Sequence, residues 1–445
     1  MDLDFGSAKW LVDMASSIAA IGPINLTAQT PAPDQAPAPQ AADPLAGSLL
    51  YEDVKQYEAF GIHRYGSVGA NAGLDWIAGR LAAAGLSVEQ QRFSMDRQYF
   101  LDSATIATLG KTISVLPQWW IPQDRANFEL TAPIARDGDA TGKFVRLHLS
   151  YDQGAYLNQH HRDAIASAFE RKPVVVLLTI DHPSGEIFTY NVAQSDPSWP
   201  VPVILVAPND ASLLDAAEQA GASVAVSVRG RYQHDVAGRN IIGRLDRGKD
   251  RTIVVSTPVT SWFTSTCERG PGIAAFLATA SFAARSLPDA NFIFVATSGH
   301  EIGHGGMEYF IHDKALKPDT KVGWLHYGAS LACYRRVRDG DHWATLPEVD
   351  AERRFLGVSA SLARVAEIAF QDVQVTNLTG EALFGELRDV HRAGYADYLG
   401  MVGLHALFHT PIDSAEMTGP AILEPVVRAF AAALTGMVKE PSHPR

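Results

Sequence analysis

Residues 290–306 read ANFIFVATSGHEIGHGG. The opening run is strongly apolar and reads as a strand buried in a parallel sheet. Ser298 and Gly299 end it, and His300-Glu301-Ile302-Gly303-His304 follows at once. These five residues match H-E-x-x-H, the pattern in which one helix carries two zinc-binding histidines a turn apart. That chemistry needs both histidines in mid-helix. Here a strand runs straight into His300, and Gly305 and Gly306 follow His304. The longer H-E-x-x-H-x-x-G-x-x-H pattern also fails, because Met307 and Phe310 hold its glycine and last histidine positions. The stretch is instead a loop at the C-terminal end of a central strand, where an α/β fold gathers its ligands.

Working outward, strands and helices alternate. NIIGRLDR, RTIVVSTPV and KVGWLHYGA read as strands, and GIAAFLATASFAARSL, GGMEYFIHDKAL, RFLGVSASLARVAEIAF and ILEPVVRAFAAALTGMV as helices. This predicts an α/β three-layer sandwich with a mostly parallel central sheet. Upstream, apolar residues recur at helical spacing through Leu74, Ile77 and Leu81, and Gly85 stops that helix. From about 113 to 235 the texture changes to short β runs between Pro, Gly and Asp turns, with one helix at DASLLDAAEQAGA. Residues 113–235 are expected to be an inserted β-rich unit, and 48–112 with 236–445 the main domain. Residues 1–47 are expected to be a local amphipathic helix and a Pro/Ala-rich linker, PAPDQAPAPQAADP at 31–44.

Composition narrows the partners. With 37 basic and 49 acidic residues among 445, net −12, the chain lacks the basic surplus that phosphate binding needs, so nucleic acid is not expected. No run of 18 apolar residues is present, so no membrane span is expected. Acidic residues open the N-terminus where an export signal wants basic ones, which slightly favours a cytoplasmic location. Cys267 and Cys333 are the only cysteines, too few for a disulfide framework or a cysteine zinc site.

Two further loops carry chemistry. STCERGPGIAAFL places Glu268 just before a helix, and LFHTPIDS places His409 between a β-like run and the last helix. Together with HRYGSVGANAGLDWIAGRLAAAGL, NIIGRL and FIFVATSG, in this order, these segments resemble the M28 family of zinc aminopeptidases, related to the glutaminyl cyclases. The likeness spans most of residues 50–440, and the 113–235 insertion resembles a protease-associated domain.

The resemblance implies a metal site, altered in this chain. The family's His-x-Asp after the strand IVVSTPVTS falls on Pro258 and Thr260, which cannot usefully bind zinc. Its bridging aspartate corresponds to Glu268, its paired glutamates to His300 and Glu301, and its last histidine to His409. A further family aspartate falls in WLHYGAS, which offers His326 and Tyr327 but no carboxylate. What the resemblance leaves is one zinc per chain held by Glu268, Glu301 and His409, with a position open for water. His300 then replaces the family's glutamate base and takes a proton from that water; a metal-ligand role and a buried structural histidine stand beside this reading. His304 is expected to be structural. Glu386, in GELRDVHRAGY, is placed near where related enzymes hold a substrate amino group, with Glu381 and His391 as second candidates. His326, Tyr327, Trp262 and Phe408 are candidates for the pocket wall. Cys267, beside Glu268, has no dedicated base and is not expected to act as a nucleophile.

The function this implies is hydrolysis of an amide, in a short peptide or a small non-peptide amide or ester, by one zinc-activated water. The alternatives are a cyclase- or lyase-type proton shuttle on the same scaffold, and a binding homologue without catalysis. The expected partner is a small molecule or short peptide, in a monomer or a homo-oligomer.

Overall fold

The structure, a computed structural model, describes residues 42–339 and 342–439. The helix and most of the linker expected before residue 48 lie outside the described residues. Two helices come first, α1 (Gly47–Ala59) and α2 (Val68–Ala83). Long strand β1 (Ser87–Thr108) leads through β2 (Lys111–Ser114) into short elements: β3 (Leu116–Pro117), β4 (Phe128–Pro133), β5 (Phe144–Ser150), α3 (Gln159–Glu170), β6 (Val175–Asp181), β7 (Val203–Val206) and α4 (Ala211–Ala220). A second long strand, β8 (Ser223–Leu245), opens the alternating part: β9 (Thr252–Pro258), α5 (Thr266–Ser286), β10 (Asn291–Thr297), α6 (Gly305–Asp313) and β11 (Val322–Tyr327). An antiparallel pair, β12 (Tyr334–Asp339) and β13 (His342–Val349), precedes β14 (Arg354–Val358), α7 (Ala363–Ala369), β15 (Thr376–Leu378), α8 (Glu386–Arg392), β16 (Asp397–Gly403) and α9 (Pro420–Lys439).

The main sheet runs β15-β14-β16-β11-β9-β10-β8-β1-β2, with β4 also on β8. Its centre, β16, β11, β9 and β10, is parallel. These central strands are buried along almost their whole length because both faces are covered. Val255, Phe294 and Leu325 face the core that α1, α2, α5 and α9 close. Val254, Ile293 and Trp324 face the opposite core, against α6 and α8. The period of two thus builds the three-layer α/β sandwich that the sequence predicts. Because the four strands are parallel, the loops after β9, β10, β11 and β16 gather at one edge.

A separate four-stranded sheet, β3-β7-β6-β5, forms within residues 116–206. The apolar cluster around it takes in Trp119 and Trp120 and also Trp262, Ile302 and Phe408 from the edge loops, so the two regions share a core. Helix α9 is long and apolar enough to cross a membrane, with mean hydropathy 1.5, but 56% of that window is buried in the protein. It serves as a core helix on the sheet.

The cysteine expectation needs correction. Cys267 and Cys333 form a disulfide, with Cα atoms 6.2 Å apart, tying the start of α5 to the loop after β11. The bridge links segments 66 residues apart, which a count of two cysteines does not disclose.

Gly306, at the start of α6, leaves no room for a side chain. A Cβ there would stand 2.3 Å from the Ser298 carbonyl oxygen and 2.5 Å from Asn240 Oδ1. Gly306→Ala should therefore cost about 1–3 kcal/mol, read as a lower denaturation midpoint, because backbone must move.

Candidate active site

The HEIGH stretch does not form a mid-helix pair. Gly299, Gly303 and His304 take left-handed conformations at φ 79°, 107° and 59°, and only His300–Ile302 makes a short 3₁₀ turn. Ser265, Ser330 and His409 are also left-handed, at φ 47°, 55° and 57°, one in each of the other three edge loops. Non-glycine residues rarely adopt this conformation, and they cluster where function holds the backbone in place.

Thr260 joins these loops. Its hydroxyl donates to Glu301 Oε2 at 2.7 Å and accepts the amides of Gly299 at 2.7 Å and His300 at 3.2 Å. The other Glu301 oxygen accepts the Tyr65 amide at 2.6 Å. Burial pushes the Glu301 carboxyl up, against these hydrogen bonds.

Glu268 and Arg269 open α5, both fully buried. Glu268 Oε2 accepts the Ser261 hydroxyl at 2.7 Å, and Oε1 lies 2.8 Å from Arg269 Nη2. Arg269 Nε donates to the Thr260 carbonyl at 3.1 Å. Burial alone would raise the Glu268 carboxyl, but Arg269 and then His409 outweigh it and hold it down at about 2. His409 Nδ1 donates to the Thr189 carbonyl at 2.9 Å, which leaves Nε2 facing Glu268 Oε1 at 3.6 Å.

This arrangement does not fit the implied zinc. Ligand atoms bound at about 2.0–2.2 Å to one zinc crowd within a few ångströms of each other. Among the described residues, the one group of three or more His, Cys, Asp or Glu residues whose ligand atoms all lie within 4.8 Å of one another is Cys267, Cys333 and His405, whose two sulfurs are already bonded together. Glu268, Glu301 and His409 make no such set. Both Glu301 oxygens are hydrogen-bonded, and the Arg269 guanidinium already neutralises Glu268. A fixed cation stands where the resemblance implies a metal.

His300 and Glu386 form the pair that faces open space. His300 Nδ1 lies 3.1 Å from Glu386 Oε1, and Thr297 donates to the same carboxyl at 2.9 Å. Burial pushes Glu386 up to about 7. Burial, then Arg269, His304 and His326, hold His300 well below its usual range, so the ring is neutral at pH 7. His304 stacks on His300 with ring centres 4.4 Å apart; its Nδ1 meets Asp389 at 2.7 Å and its Nε2 meets the Tyr156 hydroxyl at 3.3 Å. His326 Nδ1 meets the Ser256 hydroxyl at 2.8 Å.

These groups border a cavity of about 350 Å³ whose lining includes His300, His304, His326, Glu386, Tyr156 and Asn191. Phe355, Phe384 and Phe408 supply apolar wall. A cavity of about 510 Å³ lies between β14 and α7, but among the described residues Glu367 is the one charged residue on its wall. The smaller cavity holds the convergent polar groups and is the candidate site.

Of the expected pocket residues, His326, Glu386 and Phe408 line this cavity. Three others do not. Tyr327 points into the helix-side core, donating to Thr279 at 2.9 Å, because alternation along β11 sends it away from His326. His391 lies further along α8 against Tyr398, ring centres 5.4 Å apart. Trp262 stands one layer back and donates to Asn191 Oδ1 at 2.8 Å. The Glu381 side chain lies outside the described residues. Ser330 is hydrogen-bonded to His405, whose Nε2 lies 3.3 Å from Asp413, but all three are buried and Asp413 accepts the Cys267 and Glu268 amides, so it braces α5.

Sequence reasoning missed Arg269, Tyr156, Asn191 and Arg388. Arg269 had a signal: a cation in the first turn of a helix opposes the dipole and needs a reason. Tyr156 and Asn191 lie in the β-rich region and reach the site only through tertiary contact.

No family model matches the chain, and no curated relative matches it. Solved structures do. BSAP, a zinc aminopeptidase from Bacillus subtilis, is 17% identical, with a TM-score of 0.68 over 91% of this chain and 98% of its own. A peptidase M28 precursor from Shewanella amazonensis is 16% identical, with a TM-score of 0.64 over 89% of this chain and 95% of its own. An aminopeptidase from Aneurinibacillus sp. strain AM-1 is 14% identical, with a TM-score of 0.60 over 91% and 97%. The chain has the M28 aminopeptidase fold.

Proposed function

We propose that the chain is a hydrolase of small amides or esters that works by general acid–base catalysis at His300, held by Glu386, rather than through the zinc that the resemblance implies. The observation that carries this reading is the 3.1 Å contact between His300 Nδ1 and Glu386 at the wall of the 350 Å³ cavity. A neutral imidazole anchored through Nδ1 presents Nε2 as a base. In this reading Nε2 takes a proton from water, the water oxygen attacks the carbonyl carbon, and the imidazolium returns the proton to the leaving atom. Charge that develops on the carbonyl oxygen needs donors. Asn191 is suited to this: Trp262 occupies Oδ1, and Nδ2 is a buried donor without a hydrogen-bond partner among the described residues. The Tyr156 hydroxyl stands on the same wall. We read residues 113–235 as a protease-associated-like insertion that brings both to the cavity.

The test is turnover of a panel of N-acyl amino acids, anilides and esters with and without chelator, beside elemental analysis. Activity should survive chelation, zinc should be well below one per chain, and His300→Gln should lose about 10²–10⁴-fold in turnover. Activity lost to chelator and restored by zinc would overturn the reading.

A further inference from the structure

We infer that the cavity selects amides carrying a carboxylate, which Arg388 holds, next to an aromatic or similar apolar group, which Phe355, Phe384 and Phe408 hold. This names the substrate class of the site proposed above and rests on that proposal.

Arg388 stands two residues beyond Glu386 in α8 and, among the described residues, is the one Arg or Lys on the cavity wall. It makes no ion pair among the described residues, and its Nε is buried without a hydrogen-bond partner. Arg388 and Tyr156 line the same cavity. The carboxylates nearby are engaged elsewhere. Asp389 meets His304 at 2.7 Å, and Glu386 meets His300 at 3.1 Å and Thr297 at 2.9 Å. A half-buried cation without a partner is costly, and a ligand carboxylate would relieve that cost with two parallel hydrogen bonds. Phosphate would also match a guanidinium, but the rest of the wall favours a compact organic acid. Phe355 and Phe384 meet edge to face with centres 5.6 Å apart, and Phe408 lines the same space. At about 350 Å³ the cavity is at the small end for ligand sites, suited to one ring, one amide and one carboxylate. An N-acyl amino acid has this composition, its amide lying between an apolar acyl group and the carboxylate.

The test is calorimetric titration of the full chain with N-benzoylglycine and its neutral N-methylamide. The parent should bind the acid about tenfold or more tightly than the amide, the scale of one charged hydrogen-bonded pair. Arg388→Met should erase that preference and leave binding of the neutral probe unchanged, and Arg388→Lys should restore part of it. Arg388 is half-buried, and thermal denaturation of each variant confirms the fold. Equal binding of both probes to the parent, a preference that survives in Arg388→Met, or no binding of either probe overturns the inference. His300→Gln should bind the acid as the parent does. Acid-selective binding without turnover of any amide would sink the hydrolase reading alone, and turnover indifferent to the carboxylate would sink this inference alone.

Discussion

Arg269→Met should lower folding stability by about 3–5 kcal/mol, the cost of leaving a buried charge without its partner. Glu268 is fully buried, and its nearest cation is Arg269 Nη2 at 2.8 Å. His409 Nε2 is 3.6 Å away, too far to replace that contact with a hydrogen bond. The effect has a pH signature. Glu268 is depressed to about 2 in the fold, below its unfolded value near 4.3. A depressed carboxyl contributes stability that is present above the unfolded value and is lost as pH falls through the folded one. The deficit of Arg269→Met should therefore close toward about pH 2 and grow with pH until it passes the raised value that burial gives the unpaired Glu268 carboxyl in the variant. Urea denaturation across that range measures it. Glu268→Gln strands the cation instead, and the double variant should be less destabilised than the two single losses summed. Additive losses, or a deficit that ignores pH, would mean that the two residues are not an ion pair.

Arg269 also shows how far the sequence could be read. The alternation of strands and helices from 239 onward needed only periodicity and turn chemistry, and it yields the α/β sandwich with its four edge loops. Placing His300 and His409 on those loops followed from position alone, whereas Glu268, expected just before the helix, lies in the first turn of α5. Which of them meet could not follow, because it depends on side-chain direction set by the loops. Three left-handed residues, Gly299, Gly303 and His304, turn His300 toward Glu386 and bury Glu301 under Thr260. Thr260 stands where the resemblance implies a ligand that this chain lacks, yet its hydroxyl organises the loop that carries His300. Tyr327 and His326 are adjacent in sequence, and the pleat sends them to opposite faces. Tyr156 and Asn191 come from a segment read for its β texture, and nothing local ties either to the site.

His300→Gln should reduce turnover by about 10²–10⁴-fold on whichever amide the panel selects, the usual contribution of a positioned base. Glutamine keeps a polar atom near Glu386 but cannot cycle a proton at pH 7. The pH profile separates a base from a structural residue. Burial lifts Glu386 to about 7, while His300 is held well below its ordinary range. Above about 7 the carboxylate accepts from Nδ1, and Nε2 keeps its lone pair for the proton. Below it the pair holds one proton more, the anchor loses its charge, and the base weakens. The rate should therefore rise with pH and level off above an apparent value near 7 that belongs to the pair rather than to either residue. Glu386→Gln, still able to accept from Nδ1, should retain part of the activity and lose this limb. Its stability should move the other way. A raised carboxyl contributes stability that is complete below its unfolded value near 4.3 and is lost as pH rises through about 7. Glu386→Gln should thus be more stable than the parent at pH 8 and match it more closely at pH 4. A variant that loses activity and gains stability at high pH marks a carboxyl kept buried for its chemistry. An unchanged limb in Glu386→Gln would assign the titration elsewhere and remove Glu386 from the mechanism.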